Sequence, residues 1–542
     1  MDALMSAVQP NIDVLYDRAR ECMSAGAYED AAATYRTILE IDRQQPMAWL
    51  ALSSYAYAGG RFRAAVERAR SAAVMMRESG RYDGVAALAH HLQSLGESGF
   101  AVQLIHGVRW SQASTPENAF GLAQCLGLAD QHGAALELID LAVARHGTTP
   151  MLSYLRATTL RHLGRSAEAT AEYRRCLELE PAHAPAMLML AEHDARADTA
   201  GQLAHVRRAL EQVDADAPQR TILLYALFTL LDASGEDGAW AALRDGMASK
   251  RRALDYDGAR EQATYDDVAA LCDRAFVAAA ADARPGAPEH VPIFVLGLPR
   301  TGTTLLERML GNHSEVASAG ELNDFHHQLC WQADLVAERP ADPALLAACR
   351  TLDFGAIGLG YLQRTRWRVG TKRCLIDKFP RNFVYAGLIR KALPQAKLVC
   401  LLRNPMDACF SNLKELFAGD FYPYSYAPLE AADHYLRFRR LLRHWDEVMP
   451  GAILTVRYEE LVREPERVMR GVLAHCGLPF ERDCVDPSRN ASPSATASSS
   501  QVRAPLHTRG IGAWRRYAEP LAPMRERLEA GLPPDEPVAD PG

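Results

Sequence analysis

The chain has 542 residues, 48% of them hydrophobic and 23% charged, with a formal net charge of -7. That length is too great for a single core, and the composition is that of a soluble globular protein of two or three domains. From Val291 onward there are 32 Lys+Arg against 29 Asp+Glu, and before it 28 against 38. A near-neutral second half beside an acidic first half lacks the concentrated basic face a nucleic-acid binder needs, yet suits an anionic ligand held locally by a few arginines. The opening MDALMSAVQPNIDVLY has no basic start followed by an apolar run, and no stretch approaches 18 apolar residues, so neither a secretory signal nor a membrane span is expected. The 11 cysteines are scattered without CxxC pairs, which predicts reduced, mostly buried thiols and a cytoplasmic protein.

An internal period organises the first half. Gly26, Tyr28, Ala31 and Tyr35 return 34 residues later as Gly60, Phe62, Ala65 and Ala69. The frame continues through Gly96, Ser98, Ala101 and Ile105, then Asp130, His132, Ala135 and Ile139, then Gly164, Ser166, Ala169 and Tyr173. The first position permits the turn between two helices, the alanine lets them approach closely, and the last residue fills the groove beside it. Five helix-turn-helix units of this kind resemble the tetratricopeptide repeat and are expected over residues 12–183. Such a solenoid presents a concave surface, so a protein partner, a peptide or self-association is the expected role. Residues 184–280 stay helical without the frame and are expected to cap the array. ADARPGAPEH (281–290) has the composition of a linker.

A new domain is expected over residues 291–530, with a disordered tail at 531–542. Ile293–Leu296 reads as a buried strand, Gly297–Thr304 as a Gly-rich turn, and the residues from Leu305 onward as a helix through Leu306, Met309 and Leu310. Strand, Gly-rich loop, helix is the context in which backbone N–H groups hold a phosphate. The lysine that a nucleoside-triphosphate loop carries after its second glycine is Thr303 here, and a cation appears instead at Arg300. PRTGTT is similar to the 5′-phosphosulfate loop of sulfotransferases, and closest in form to that of tyrosylprotein sulfotransferases. The resemblance runs from about Val291 to Tyr517. It implies an α/β P-loop-like domain with a parallel sheet, binding 3′-phosphoadenosine 5′-phosphosulfate through Pro299, Arg300, Thr301, Gly302, Thr303 and Thr304.

Downstream, KLVCLLRNPMDACFSNL gives a strand, then Arg403 at its end and Ser411 eight residues on. A planar guanidinium fork with a hydroxyl beside it suits a terminal phosphate dianion, and the spacing resembles the family's 3′-phosphate motif. Tyrosylprotein sulfotransferases carry a further arginine where this chain has Glu415, so a compensating cation must come from elsewhere. Arg509-Gly510, followed by Gly512 and Trp514, resembles the segment that closes over the nucleotide in cytosolic sulfotransferases, although the second basic residue of that segment is absent. Tyr458, in ILTVRYEEL, stands where the family places a tyrosine against the adenine.

Sulfuryl transfer needs a base for the acceptor hydroxyl, a cation on the leaving phosphate, and donors on the sulfuryl oxygens. The resemblance assigns the base to Glu321 in AGEL, with His326 and His327 as the alternatives because cytosolic sulfotransferases use a histidine. It assigns the cation to Lys378 in LIDKFPRNF, where Asp377 replaces a common asparagine, with Arg300 and Ser498 assisting at the bridging oxygen. No metal is expected, since the moving group carries less charge than a phosphoryl group and no His/Cys/Asp ligand cluster appears. The expected function is transfer to an acceptor hydroxyl, a peptide tyrosine among the candidates. The alternative is a P-loop kinase or another NTP-dependent transferase, against which Thr303 stands.

Overall fold

The computed structural model describes residues 11–108, 115–279, 290–490, 492–494, 503, 505–534, 536 and 538. They fall into two compact units, Met1–Gly147 with His326–Glu338, and Thr148–Phe325 with Arg339–Gly542.

The first unit is built of helix pairs: Ile12–Ser24 with Tyr28–Ile41, Pro46–Ala58 with Phe62–Ser79, Val85–Ser94 with Ser98–Gly107, and Pro116–Leu128 with His132–His146. The repeat frame has a direct backbone meaning. At its turn position Gly26, Gly60 and Gly96 have φ of +75°, +74° and +74°, and the one non-glycine there, Asp130, has φ of +62°. Aspartate is among the few L-residues that tolerate the left-handed region, so the frame survives the substitution. Ala31, Ala65, Ala101 and Ala135 are all buried at the helix crossings. The segment His326–Glu338 belongs to this unit: the Arg63 amide donates to the Asp334 carboxylate (2.8 Å), and Phe62 stacks on His327 with ring centroids 6.1 Å apart.

The second unit begins with the last pair of the frame, Pro150–His162 and Ser166–Leu179, whose turn glycine Gly164 has φ of +79°. The helices Ala184–Asp194, Thr199–Gln212, Pro218–Ser234, Ala239–Arg252, Gly258–Leu271 and Arg274–Ala278 follow. Residues 281–289 of the expected linker lie outside the described residues. The strands β1 (Val291–Gly297), β2 (Val316–Ser318), β3 (Cys374–Asp377), β4 (Lys397–Leu402) and β5 (Ile453–Arg457) form one parallel sheet in the order β2-β3-β1-β4-β5. Central strands read as unbroken apolar runs because both faces are covered. Ile293, Val295, Val399 and Leu401 pack with Leu306 and Met309 of the helix after β1 and with Met469 and Val472 of the helix Pro465–Cys476.

The helices before the sheet contact the long helix Pro428–Val448 and the 3-10 turn Pro380–Tyr385. Arg251 makes a two-pronged pair with Glu430 (2.8 and 3.0 Å), and Tyr265 meets Phe383 edge-on at 5.9 Å. Further toward the site, the Tyr225 hydroxyl donates to the Leu413 carbonyl (3.1 Å). Within the stretch expected to be a disordered tail, Glu536 pairs with Arg439, and the Val538 carbonyl accepts from Asn404 Nδ2 (2.9 Å). Among the described residues no helix is long and apolar enough to cross a membrane.

Glu261 is the polar centre of this helix-to-sheet packing. It accepts from Tyr256 Oη (2.8 Å) and Arg437 Nη1 (3.0 Å) and lies 3.0 Å from His434 Nδ1. Burial works against its charge, but His434, Tyr256 and Arg437 together hold the carboxyl down to about 2. A depression of that size is worth roughly 3 kcal/mol of stability, fully present above the ordinary glutamate value near ~4.3 and lost as pH falls through the folded value. Glu261→Gln is therefore expected to cost about 3 kcal/mol at neutral pH and about half of that near ~pH 3. Urea midpoints of both proteins at the two pH values measure it, and an unchanged gap at low pH would remove the charge from the explanation.

Candidate active site

Local conformation makes the turn after β1. Gly297 ends the strand with φ of +145°, where a Cβ would come within 2.8 Å of the Leu401 carbonyl on β4. Arg300 takes φ of +65° and Gly302 +102°, so two left-handed residues bend the chain into the helix Thr303–Leu310. Three successive carbonyls of the turn are captured by side chains. Thr301 Oγ1 donates to Leu298 O (2.7 Å), Asn412 Nδ2 to Pro299 O (3.0 Å) and Arg403 Nη1 to Arg300 O (2.8 Å). Fixing those carbonyls also fixes the opposite, N–H edge of the same planar peptides. The buried Thr303 and Thr304 open the helix, whose first-turn amides have no partner within it and carry the positive end of its dipole. Backbone groups arranged in this way suit an anion.

Arg403 follows β4 directly and is 9% exposed. Its second terminal nitrogen donates to Gly510 O (2.5 Å), and its guanidinium lies 4.7 Å from the Tyr458 ring centroid. Arg403 Nε is buried with no hydrogen-bond partner among the described residues. Tyr458 opens the helix after β5, and its ring lies against the turn after β1: a Cβ on Gly302 would stand 2.6 Å from Tyr458 Cδ2. Ser411 is buried in the last turn of the helix Pro405–Leu413, which Asn404 caps through the amides of Met406 and Asp407. Arg509 is exposed beside Gly510. The loop arginine, Arg300, has its Nε 3.5 Å from the Glu415 carboxylate.

The remaining polar group lies at the carboxyl end of β3, where open parallel sheets bind ligands. Lys378, immediately after that strand, is fully buried, with Nζ 2.5 Å from Glu321 Oε1 and 3.7 Å from Glu307 Oε2. Burial alone pulls the ammonium down, yet Glu321 and Glu307 hold it above the usual lysine range. Glu321 is brought there by the turn after β2, since the Lys378 amide donates to Gly320 O (2.9 Å). Its side chain keeps 41% of its surface exposed, while Glu307 accepts from Ser318 Oγ (2.5 Å). Lys378 does not pair with its neighbour Asp377 as a surface ion pair would. Asp377 is buried and accepts from Tyr361 Oη (2.9 Å) and Asn382 Nδ2 (3.1 Å), and burial pushes its carboxyl well above the usual range.

Residues 292–482 match the model of the sulfotransferase family, and residues 152–183 that of the tetratricopeptide repeat. The second half of the chain carries a sulfotransferase-family domain. An Aquifex aeolicus protein with no functional name is 35% identical over 253 residues, which make up 46% of this chain and 33% of the relative. The chain therefore spans only a third of that relative's length. A Caenorhabditis briggsae protein named "Putative protein-tyrosine sulfotransferase" is 21% identical over 227 residues, 41% of this chain and 80% of the relative. Among solved structures, the sulfotransferase domain of the Synechococcus PCC 7002 olefin synthase is similar at 20% identity. The match covers 46% of this chain and 99% of that one, with a TM-score of 0.32.

Of the residues singled out from sequence, Pro299–Thr304, Arg403, Tyr458 and Gly510 come together around the turn of the sulfotransferase-family domain, and Glu321 meets Lys378. Ser498 lies outside the described residues. His326 and His327 belong to the repeat unit, where His326 Nε2 lies 2.7 Å from the Ala337 carbonyl and His327 stacks on Phe62. Sequence reasoning missed Glu307, one turn beyond Thr303 in the loop helix, and Asn412, next to Ser411. The helical spacing of Thr303 and Glu307 was an available signal for the first, but nothing in the sequence shows that Asn412 reaches back to Pro299. A backbone test follows from Gly302. Gly302→Ala places a Cβ against the Tyr458 ring at a φ that side chains rarely adopt, and is expected to cost about 1–3 kcal/mol. Gly471→Ala, in an open helical position, is expected to be neutral or stabilising by up to ~1 kcal/mol. Chemical denaturation of the two variants reads the difference.

Proposed function

We propose that this domain transfers a sulfuryl group from 3′-phosphoadenosine 5′-phosphosulfate to an acceptor hydroxyl. The observation that carries the reading is the buried Lys378 ammonium against the Glu321 carboxylate, beside a turn that suits an anion and has no lysine of its own. A cation for the leaving group and a base for the acceptor meet at one point.

The residues suit the nucleotide. The turn amides and the helix start at Thr303 accept the 5′-phosphosulfate, with Arg300 beside it. Arg403, whose Nε has no hydrogen-bond partner among the described residues, and Ser411 suit the 3′-phosphate that separates this donor from ATP. The Tyr458 ring supplies a face for the adenine, and Arg509 and Gly510 lie on the segment that closes over it. When bound, the donor supplies a sulfuryl group and a leaving phosphate on which negative charge develops. Lys378 remains an ammonium because two carboxylates hold its proton, so it can neutralise that charge. As the ammonium turns toward the leaving oxygen, Glu321 is released from its ion pair and is free to take the acceptor proton. Arg300 and Ser498 assist at the bridging oxygen. Sulfuryl oxygens carry less charge than phosphoryl oxygens, so these cations and the turn amides suffice without a metal.

An aromatic hydroxyl, a peptide tyrosine included, is the acceptor the surroundings favour. Burial and then the Glu321 carboxylate push the Tyr422 hydroxyl above the usual tyrosine range, which places this ring in the field of the base. Tyr422 packs on Phe417 at 4.7 Å, and Phe421 beside it is 58% exposed. The repeats are the expected surface for a protein acceptor or partner.

Glu321→Gln keeps size and hydrogen bonding but cannot take a proton. It is expected to lower kcat about 10²–10⁴-fold with nucleotide affinity nearly intact. A phenol already ionised at assay pH rescues this variant and not Lys378→Ala, which loses stabilisation of the leaving group instead. Turnover of a neutral hydroxyl at the wild-type rate by Glu321→Gln would refute the assignment of the base.

A further inference from the structure

The helices that precede the sheet have no assigned part in the chemistry, yet two of their features hold the chain segment that crosses Arg403. We propose that the fifth repeat and the helices Pro218–Ser234 and Ala239–Arg252 are a positioning element for the nucleotide site, anchoring the C-terminal arm (described at 492–494, 503 and 505–517) across it. The proposal rests on the reading of Arg403 and Tyr458 as nucleotide-binding residues.

The first anchor is Tyr517. Its ring is 7% exposed and packs between Phe228 and Trp240 of the preceding helices, with centroids at 6.2 and 5.6 Å. On its other side is Phe410 (5.4 Å), the residue before Ser411. The Tyr517 hydroxyl donates to Asp232 Oδ1 (2.6 Å), and Arg516 Nη1 donates to the same oxygen (2.7 Å) and to the Asp232 carbonyl (2.6 Å). Buried aromatic rings supply large apolar area with a defined orientation, and a charge-assisted hydrogen bond fixes the remaining freedom.

The second anchor is the turn of the fifth repeat. The His162 carbonyl accepts from the Ser494 amide (3.0 Å) and from Arg503 Nη2 (2.7 Å). At Gly164 a Cβ would stand 2.7 Å from the Arg503 guanidinium carbon, so the glycine that makes the repeat turn also admits the arm. Beyond Arg503 the arm bonds to the site itself: Gly510 O accepts from Arg403, and the Gly512 amide donates to Asp407 Oδ2 (2.7 Å). Of its own regular structure the arm has the single 3-10 turn Ala513–Tyr517 among the described residues. Contacts with the preceding helices therefore help to set the position of its described residues.

The test uses the full chain with Asp232 and Trp240, which are distant in sequence from every nucleotide-binding candidate. The double variant Asp232→Ala, Trp240→Ala is expected to bind 3′-phosphoadenosine 5′-phosphate about tenfold or more weakly by calorimetry, as for a lost charge-assisted contact. Amides of residues 505–517 are expected to exchange hydrogen faster, while those of Ser166–Leu179 are unchanged. Asp232→Asn, which keeps the acceptor oxygen, is expected to restore affinity to within about threefold of wild type. Tyr517→Phe, removing only the hydroxyl, gives the same exchange readout should the double variant fail to fold. Unchanged exchange and unchanged affinity in a folded variant would overturn the proposal. A wild-type protein that binds ADP as well as 3′-phosphoadenosine 5′-phosphate would instead sink the nucleotide reading. Hydrogen exchange would then still decide whether the helices hold the arm.

Discussion

The guanidinium of Arg403 is the contact on which the site depends. It joins the turn after β1 through the Arg300 carbonyl, the C-terminal arm through the Gly510 carbonyl, and the start of the helix after β5 through the Tyr458 ring. Those segments are far apart in the sequence, and Arg403 ties them to one another. An arginine can do this because its donors form a rigid plane whose edges and face bind at once. Burial raises the stakes: a guanidinium withdrawn from water must find partners for each nitrogen, and Nε has none among the described residues. The same group therefore ties these segments together, and under the proposed function its remaining donor would serve an anion.

Around this centre the structure distributes charge economically. Several ions withdrawn from solvent have a counter-ion from another segment: Lys378 with Glu321 and Glu307, Arg300 with Glu415, Arg251 with Glu430, and Glu261 with Arg437. Pairs of this kind contribute modestly to net stability but are costly to break one partner at a time. They act here as register marks that say which helix meets which strand. Apolar burial alone, being non-directional, would not specify that register.

Much of this was readable in the sequence, for a physical reason. The repeat frame is local, so the left-handed turns at Gly26, Gly60, Gly96 and Gly164 follow from residue type, and even Asp130 keeps the conformation. The turn after β1 is local too, its glycines and threonines falling within eight residues. What escaped reading is long-range. The bond from Tyr361 to the buried Asp377, the reach of Asn412 to Pro299, and the clustering of residues 326–338 with the repeats depend on chain packing that no short pattern encodes. His326 and His327, close in sequence to AGEL and alternative candidates for the base, cluster with the repeat unit, which no local pattern announces.

Glu415 shows how a departure from a family pattern acquires meaning from geometry. On resemblance alone the position calls for a second cation near the 3′-phosphate, and its loss looks like a defect. In the structure the carboxylate stands 3.5 Å from Arg300 Nε, and both side chains are largely withdrawn from solvent. Arg300 also holds a left-handed backbone, a conformation of positive energy for any residue with a Cβ. The ion pair fixes the side chain of a strained residue in the middle of the turn after β1. Under the proposed function, an incoming phosphosulfate competes with Glu415 for that guanidinium, so part of the binding energy is spent exchanging one anion for another. The exchange costs affinity and adds discrimination, because only a ligand that also satisfies Arg403, Ser411 and the turn amides recovers what is lost. Glu415 thus acts as a built-in competitor rather than a missing cation.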